Sequence, residues 1–250
     1  MFLKNNWTWF NIIKLFFMVA DSSSIVSISE CIPEIWDLLS TKERELVSAN
    51  AKILDYKKNE VIYQEEEMPL ELMCLCKGKV KIYKDGVGGR SQIIRMIRPT
   101  QYFGYRAFFA NQPYVTAASA FEASTICFIS MQIIEEIVTT NSKLGLFFIR
   151  ELSTDLGIAD ERVVNLTQKH IRGRLAESLI FLIENYGLEE DGATVSIYLS
   201  REDLANLSNM TTSNAIRTLS TFVDEHIITL DGRKIKIIDE EKLRRISKIG

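Results

Sequence analysis

Ser200-Arg201-Glu202-Asp203-Leu204-Ala205-Asn206-Leu207-Ser208-Asn209-Met210-Thr211-Thr212-Ser213-Asn214-Ala215-Ile216-Arg217 encodes two short helices and the turn between them. Ser200 has the character of a helix N-cap, because its hydroxyl can accept from a backbone N–H that the first turn leaves free. Asp203, three residues on, completes a capping-box-like pair. Leu204, Ala205 and Leu207 give the first helix a buried face. Asn209-Met210 makes the turn, since Asn tolerates a left-handed backbone. Thr211 caps the second helix, in which Ala215, Ile216, Leu219, Phe222 and Val223 are expected to face inward. The other face presents Thr212, Ser213, Asn214 and Arg217. A DNA major groove admits one α-helix, where Arg can pair with guanine O6 and N7 and Asn with adenine. The hairpin that follows carries Arg233 and Lys234 after the turn Asp231-Gly232, and such a wing can reach phosphates. Ser200, Arg201, Thr211, Thr212, Ser213, Asn214, Arg217, Arg233 and Lys234 are therefore the candidate DNA-facing residues of a winged helix-turn-helix.

A two-helix turn is common in globular proteins, so the upstream sequence has to support the reading. Working back, the spacing predicts a helix from about Ile171 to Tyr186, a loop through Gly187 and Gly192, and a strand at Val195–Leu199. Before these lies a long helical tract from Met131 to about Gln168. Within it Ile149, Leu152, Leu156, Ala159, Val163 and Leu166 follow one another at steps of 3, 4, 3, 4 and 3. That is the a/d repeat of a coiled coil, which keeps a narrow apolar stripe facing a partner helix. A helix packed on its own domain would carry a wider stripe. The repeat points to a homodimer seam flanked by Arg150, Glu151, Asp155, Asp160, Glu161 and Arg162.

Farther upstream the period changes. Residues 51–130 hold short β-rich runs, Val61–Tyr63, Leu72–Leu75, Val80–Tyr83, Ile93–Ile97 and Ile126–Ile129, parted by Lys77-Gly78, Asp85-Gly86 and Gly88-Gly89. Many short strands about ten residues apart indicate an antiparallel sandwich or barrel. Pro33 to Ala49 reads as one short helix. At the beginning, Trp9–Ala20 is apolar after Lys4 and resembles a weak signal peptide. It is too short to span a membrane, and Lys14 interrupts it. Met18 opens an ordinary polar N-terminus, so residues 1–17 are expected to be a misassigned start or a dispensable extension.

Composition bounds the function. Over 250 residues, 46% hydrophobic and 25% charged content are those of an ordinary globular protein, expected in the cytoplasm and off the membrane. A net charge of −3 gives no overall pull toward nucleic acid, so DNA binding requires a local basic surface. Cys31, Cys74, Cys76 and Cys127 lack zinc spacing, and only two histidines exist to complete a metal site. Cys74 and Cys76 would share one strand face. The cysteines read as free, buried small hydrophobes, with a redox or iron–sulfur role as the alternative. His170 and His226 lie in the helical half, and no nucleophile motif or phosphate loop appears, so the chain is not read as an enzyme.

From Pro33 onward the layout resembles the Crp/Fnr family of bacterial transcription regulators. The resemblance rests on Lys77-Gly78-Lys79-Val80, Tyr102-Phe103-Gly104, Asn165-Leu166, Gly173-Arg174-Leu175-Ala176 and the tract from Leu199 to Arg217. It implies an α+β chain with a jelly-roll-like antiparallel β-roll sensor domain, a dimerisation helix and a winged helix-turn-helix. The boundaries expected are 1–30 for the extension, 31–140 for the roll, 141–168 for the helix and 169–250 for the DNA-binding domain. It also implies double-stranded DNA, a second copy of the chain, RNA polymerase and a small-molecule effector as partners.

The family's cyclic-nucleotide receptors hold the ribose with a Glu and the phosphate with an Arg. Here the corresponding runs are Phe103-Gly104-Tyr105-Arg106-Ala107 and Val115-Thr116-Ala117, with Tyr105 and Val115 at the charged positions. On the dimer helix, Ala159 and Asp160 replace the polar pair that would meet the base. These residues mark the expected effector pocket, and their chemistry argues against cAMP, because an unpaired buried phosphate is costly. No other cofactor is implied. The oxygen-sensing branch needs an N-terminal cysteine cluster, which Cys31 alone does not supply. Thr212, Ser213 and Arg217 stand where the family pattern places Arg, Glu and Arg. The competing reading is a ligand-binding β-barrel signalling module whose C-terminal domain binds protein.

Overall fold

The computed structural model describes residues 26–86 and 91–249. The apolar run 9–20, Met18 and the turn Gly88-Gly89 lie outside the described residues. Three short helices come first: α1 (Ile28–Cys31), α2 (Pro33–Leu38) and α3 (Thr41–Asn50). Pro33–Ala49 was expected as one helix, but it breaks at Ser40. The Ser40 hydroxyl accepts from Glu43 N at 3.4 Å while the Glu43 carboxylate accepts from Ser40 N at 2.7 Å, a capping box that starts a new helix.

Eight strands follow: β1 (Ala51–Tyr56), β2 (Val61–Tyr63), β3 (Glu71–Lys77), β4 (Val80–Asp85), β5 (Ser91–Ile97), β6 (Tyr102–Phe103), β7 (Ala117–Ala120) and β8 (Ser124–Ser130), with a short helix α4 (Tyr105–Phe109) after β6. They form two antiparallel sheets, ordered β1-β8-β3-β6 and β2-β7-β4-β5. Between the sheets lies a core that includes Met73, Leu75, Val80, Ile82, Phe103, Ile126 and Phe128. Leu72 and Cys74, on the opposite face of β3, pack instead against the flanking helices. Cover on both faces explains why Leu72–Leu75 reads as a continuous apolar run rather than an alternation. Gly78, between β3 and β4, has φ +93°, and a Cβ there would sit 2.4 Å from the Ala123 carbonyl oxygen, so only glycine fits.

Met131–Gln168 was expected as one helical tract, but it is two helices, α5 (Met131–Thr140) and α6 (Ser142–Gln168). Asn141 makes the break: its side-chain oxygen accepts from Lys143 N and Leu144 N, and its amide donates to the Leu38 carbonyl at 3.0 Å. Next come α7 (Ile171–Tyr186), α8 (Arg201–Leu207), α9 (Thr212–Asp224), the hairpin β9 (Ile228–Asp231) and β10 (Lys234–Ile237), and α10 (Glu240–Ile249). Val195–Leu199, expected as a strand, makes one isolated bridge, from Val195 to Leu188, next to another at Thr194. Its alternation is real, with Val195, Ile197 and Leu199 buried and Tyr198 exposed, but it has no continuous ladder beside it.

The C-terminal core gathers Leu179, Leu204, Leu207, Leu219, Phe222, Ile228 and Leu243, and it also takes in Ile93, Met96 and Phe121 from the roll. Lys81 of β4 pairs with Asp203 of α8 at 3.3 Å across the same contact. Cys31 and Cys76, expected as free thiols, form a disulfide, because α1 lies across β3 and brings their Cα atoms to 4.6 Å. Cys74 and Cys127 remain free and buried. Among the described residues no helix is long and apolar enough to cross a membrane.

Candidate nucleic-acid interface

The two helices of the turn form as their caps require. Ser200 Oγ accepts from Asp203 N at 2.9 Å and Thr211 Oγ1 from Asn214 N at 3.3 Å. Asp203 does not reach back to the Ser200 backbone; its carboxylate accepts from the Ser200 hydroxyl and from Lys81. Asn209 takes φ +48° between the helices, the left-handed turn its side chain favours.

Helix α9 buries Ala215, Leu219 and Phe222, a single stripe at steps of four and three residues. Ile216, expected inward, is 47% exposed, because it stands one position off that stripe, beside Arg217. The outer face is then Thr212, Ser213, Ile216 and Arg217, all exposed, with Asn214 half-buried. Arg217 Nη2 donates to Asn214 Oδ1 at 2.7 Å, a contact on the helix surface that a base edge could replace. Arg201 Nη2 donates to the Gly232 carbonyl at 2.7 Å, which ties the start of α8 to the tip of the hairpin. Arg233 and Lys234 are exposed on that hairpin, with the Lys234 ammonium 5.4 Å from the Tyr198 ring centre. Arg201 thus joins the first helix to the wing, where Arg233 and Lys234 are exposed, while Glu189, Glu190, Asp191 and Asp231 stand on the wing's other side.

A joint that no local pattern announces holds the end of α9 to α7. Arg172, near the start of α7, donates two hydrogen bonds to the Glu225 carboxylate at 2.7 and 2.5 Å, and its guanidinium lies 5.1 Å from the Phe222 ring centre. The same bonds hold the Glu225 carboxyl below the usual carboxylate range. Lys242 reaches Glu225 from α10. These partners are 53 and 17 residues away in sequence, and no local pattern announces them.

The expected effector-pocket residues divide into two groups. Phe103, Tyr105, Ala107 and Ala117 are buried in packed interior, where Tyr105 meets Phe148 at 5.3 Å between ring centres. Gly104, at φ +89°, has Met73 Cε and the Tyr114 hydroxyl against the space a Cβ would fill, and Tyr63 stacks on Tyr114 at 3.9 Å. Arg106 and Val115 are exposed and Thr116 is half-buried, while Ala159 and Asp160 are exposed on α6. Asp155, on the same helix, takes a 2.5 Å ion pair from Arg95 of β5. Two clefts are open elsewhere. One, of about 910 Å³, lies beside the wing and is lined by Glu189, Asp191, Thr229, Asp231, Lys234 and Lys236. The other, of about 460 Å³, lies between the roll and α8 and is lined by Lys81, Tyr83, Asp85, Glu202 and Asp203. Neither is lined by the expected pocket residues.

Comparison with known proteins gives the same architecture. The cyclic nucleotide-binding domain family matches residues 53–141, and the Crp-like helix-turn-helix domain family matches residues 173–246. The chain is 23% identical over 193 residues to the CRP-like cAMP-activated global transcriptional regulator of Mycobacterium tuberculosis, covering 77% of this chain and 86% of that protein. It is 24% identical over 201 residues to the anaerobic regulatory protein of Bacillus subtilis, covering 80% and 84%. Among solved structures, FixK2 from Bradyrhizobium japonicum superposes with a TM-score of 0.70 at 22% identity, covering 78% of this chain and 96% of that one. A putative regulator of the Crp/Fnr family from Eubacterium rectale superposes with a TM-score of 0.73 at 17% identity, covering 86% and 98%. With a cyclic-nucleotide-binding-type roll, a long helix and a Crp-type reading head in that order, the chain belongs to the Crp/Fnr family of DNA-binding transcription regulators.

Proposed function

We propose that the chain acts as a homodimer on a two-fold symmetric operator, with residues 31–140 as sensor, 141–168 as dimerisation helix and 169–250 as reading head. The observation that carries this reading is the bare stripe on α6. Ile149, Leu156 and Val163, seven residues apart, are 60%, 63% and 61% exposed in the single chain. An exposed apolar row of that period finds cover against a parallel copy of itself. Leu152 is half-buried against the roll-side core and Leu166 is half-buried, so the seam begins at the roll and continues to the hinge. At 1.5 Å per residue, the 27 residues of α6 span about 40 Å, which gives the apolar row room for several heptad contacts with its copy.

Arg217 is the proposed base reader and pairs with a guanine in each half-site. Thr212, Ser213 and Asn214 make shorter polar contacts, while Arg201, Arg233 and Lys234 hold phosphates. The effector is a small molecule other than cAMP, because Val115 and Tyr105 stand where a phosphate cation and a ribose acceptor would be required. It acts by shifting the balance between two spacings of the reading heads. RNA polymerase is the proposed downstream partner, and the cytoplasm is the compartment in which it acts.

The test is a binding-site selection from random duplexes with the full-length protein and with Arg217→Ala. The variant is expected to lose about 1–3 kcal/mol of discrimination at one base pair per half-site, whereas Lys234→Ala weakens all sequences alike. An unchanged base preference in Arg217→Ala would remove Arg217 from the reading.

A further inference from the structure

All four cysteines of the chain meet in one place, where α1 crosses β3, yet they are not equivalent. Cys74 and Cys127 face each other across the β3–β8 ladder, both buried, and Cys74 Sγ donates to the Cys31 carbonyl at 2.9 Å. Burial pushes the Cys127 thiol up to about 11 and the Cys74 thiol higher still, so both stay protonated and unreactive. Cys76 differs. It falls where the β3–β8 register slips between Leu75 and Lys77, and it is the partly exposed partner in the bond to buried Cys31. A bulge commonly re-aims a side chain and leaves it out of the regular ladder.

Two arguments set this bond apart from a permanent staple. A roll packed on both faces of β3, in a chain of 250 residues, has the core that small disulfide-dependent domains lack. A protein that reads chromosomal DNA also works where thiol systems keep cysteines reduced, so a disulfide there is conditional. The bond is connected to the dimer helix as well. Cys31 ends α1, and α2 starts two residues later. Ile35 N of α2 donates to the Tyr102 hydroxyl at 3.3 Å, and the Leu38 carbonyl accepts from Asn141, the N-cap of α6. Cys31, Ile32 and Ile35 share one core with Leu144 and Phe148 of α6.

We propose that Cys31 and Cys76 form a reversible thiol–disulfide switch that sets how the base of α6 is held and thereby tunes DNA affinity. The co-reactant is a small-molecule disulfide, RSSR. The Cys76 thiolate attacks one sulfur of RSSR, breaking its S–S bond and releasing RS⁻. Cys31 then attacks Cys76 Sγ in the mixed disulfide, closing the 31–76 bond and releasing the second RS⁻. Two electrons pass from the cysteines to RSSR, and the two thiol protons leave with two RSH. The effect on DNA rests on the dimeric reading above, whereas formation of the bond does not.

The test uses the full-length protein, equilibrated with oxidised glutathione or with dithiothreitol. Bonds are mapped by alkylation and mass spectrometry, and affinity is measured on a duplex that the protein itself selects from a random pool. The expected result is a 31–76 cross-link that forms and is reversed without denaturant, with Cys74 and Cys127 alkylated only after unfolding. Affinity for the duplex is expected to change by about fivefold or more between the two states, a usual size for coupling between sites. Cys76→Ser is expected to hold affinity constant under both conditions. The proposal is overturned if oxidation yields no 31–76 bond, or if that bond resists dithiothreitol in the folded protein. It is equally overturned if the bond forms and affinity moves by less than about twofold. In that last case dimeric DNA binding still stands; loss of all DNA binding in both states counts against the dimeric reading instead.

Discussion

A chain carrying both Leu156→Glu and Val163→Glu is expected to sediment as a single subunit and to lose about a hundredfold or more in operator affinity. Both side chains are more than 60% exposed in the isolated subunit, so their replacement leaves no cavity and unfolding is not the anticipated cost. In a paired seam the same positions face their own copies, and four carboxylates would be forced into an apolar contact. The loss follows from valency. Two linked reading heads gain roughly a hundredfold to ten-thousandfold over one, and a monomer forfeits that gain without any change at the DNA surface. Circular dichroism and the unfolding midpoint of the roll should be unaltered. A dimer that survives both substitutions would move the interface elsewhere.

Phe222→Ala is expected to cost about 3–5 kcal/mol of stability in the reading head, measured by urea unfolding. Phe222 is fully buried at the centre of the C-terminal core, and its ring also carries the Arg172 guanidinium that clamps Glu225. Truncation therefore leaves a cavity and removes the platform for the clamp. Against total stabilities of about 5–15 kcal/mol, that loss removes a third or more of the margin of a mid-range domain and all of it at the low end, where DNA binding would go with it. The neighbouring Ile216→Ala, on the exposed face, should change stability by no more than about 0.5 kcal/mol.

These contrasts show which parts of the molecule are written locally. Ser200 and Thr211 announce helix starts because a cap is satisfied within three residues, and both caps are made as expected. The α6 stripe is legible for the same reason, since a seven-residue period needs no knowledge of the partner. Ile216 was misplaced because a helical stripe read by eye spreads one residue too far, and only packing against Leu179 and its neighbours decides its edge. The breaks at Ser40 and Asn141 come from polar side chains inside otherwise helical runs, where the partners they find decide that they cap. Asp239, the cap of α10, and Leu243, its buried apolar residue, likewise set the helix at the end of the chain through the partners they find. The Cys31–Cys76 bond, the Lys81–Asp203 pair and the Arg172–Glu225 clamp join residues 45, 122 and 53 positions apart, and nothing in a one-dimensional pattern links them. The caps and turn of the helix-turn-helix are therefore local information, whereas the joints between its elements and the roll are tertiary.

The most direct measurement is the stoichiometry of the unmodified protein on its own selected duplex, by sedimentation equilibrium. Two subunits per duplex, bound together on a site whose half-sites lie one helical turn apart, is the predicted result. A saturated complex holding one subunit would contradict it.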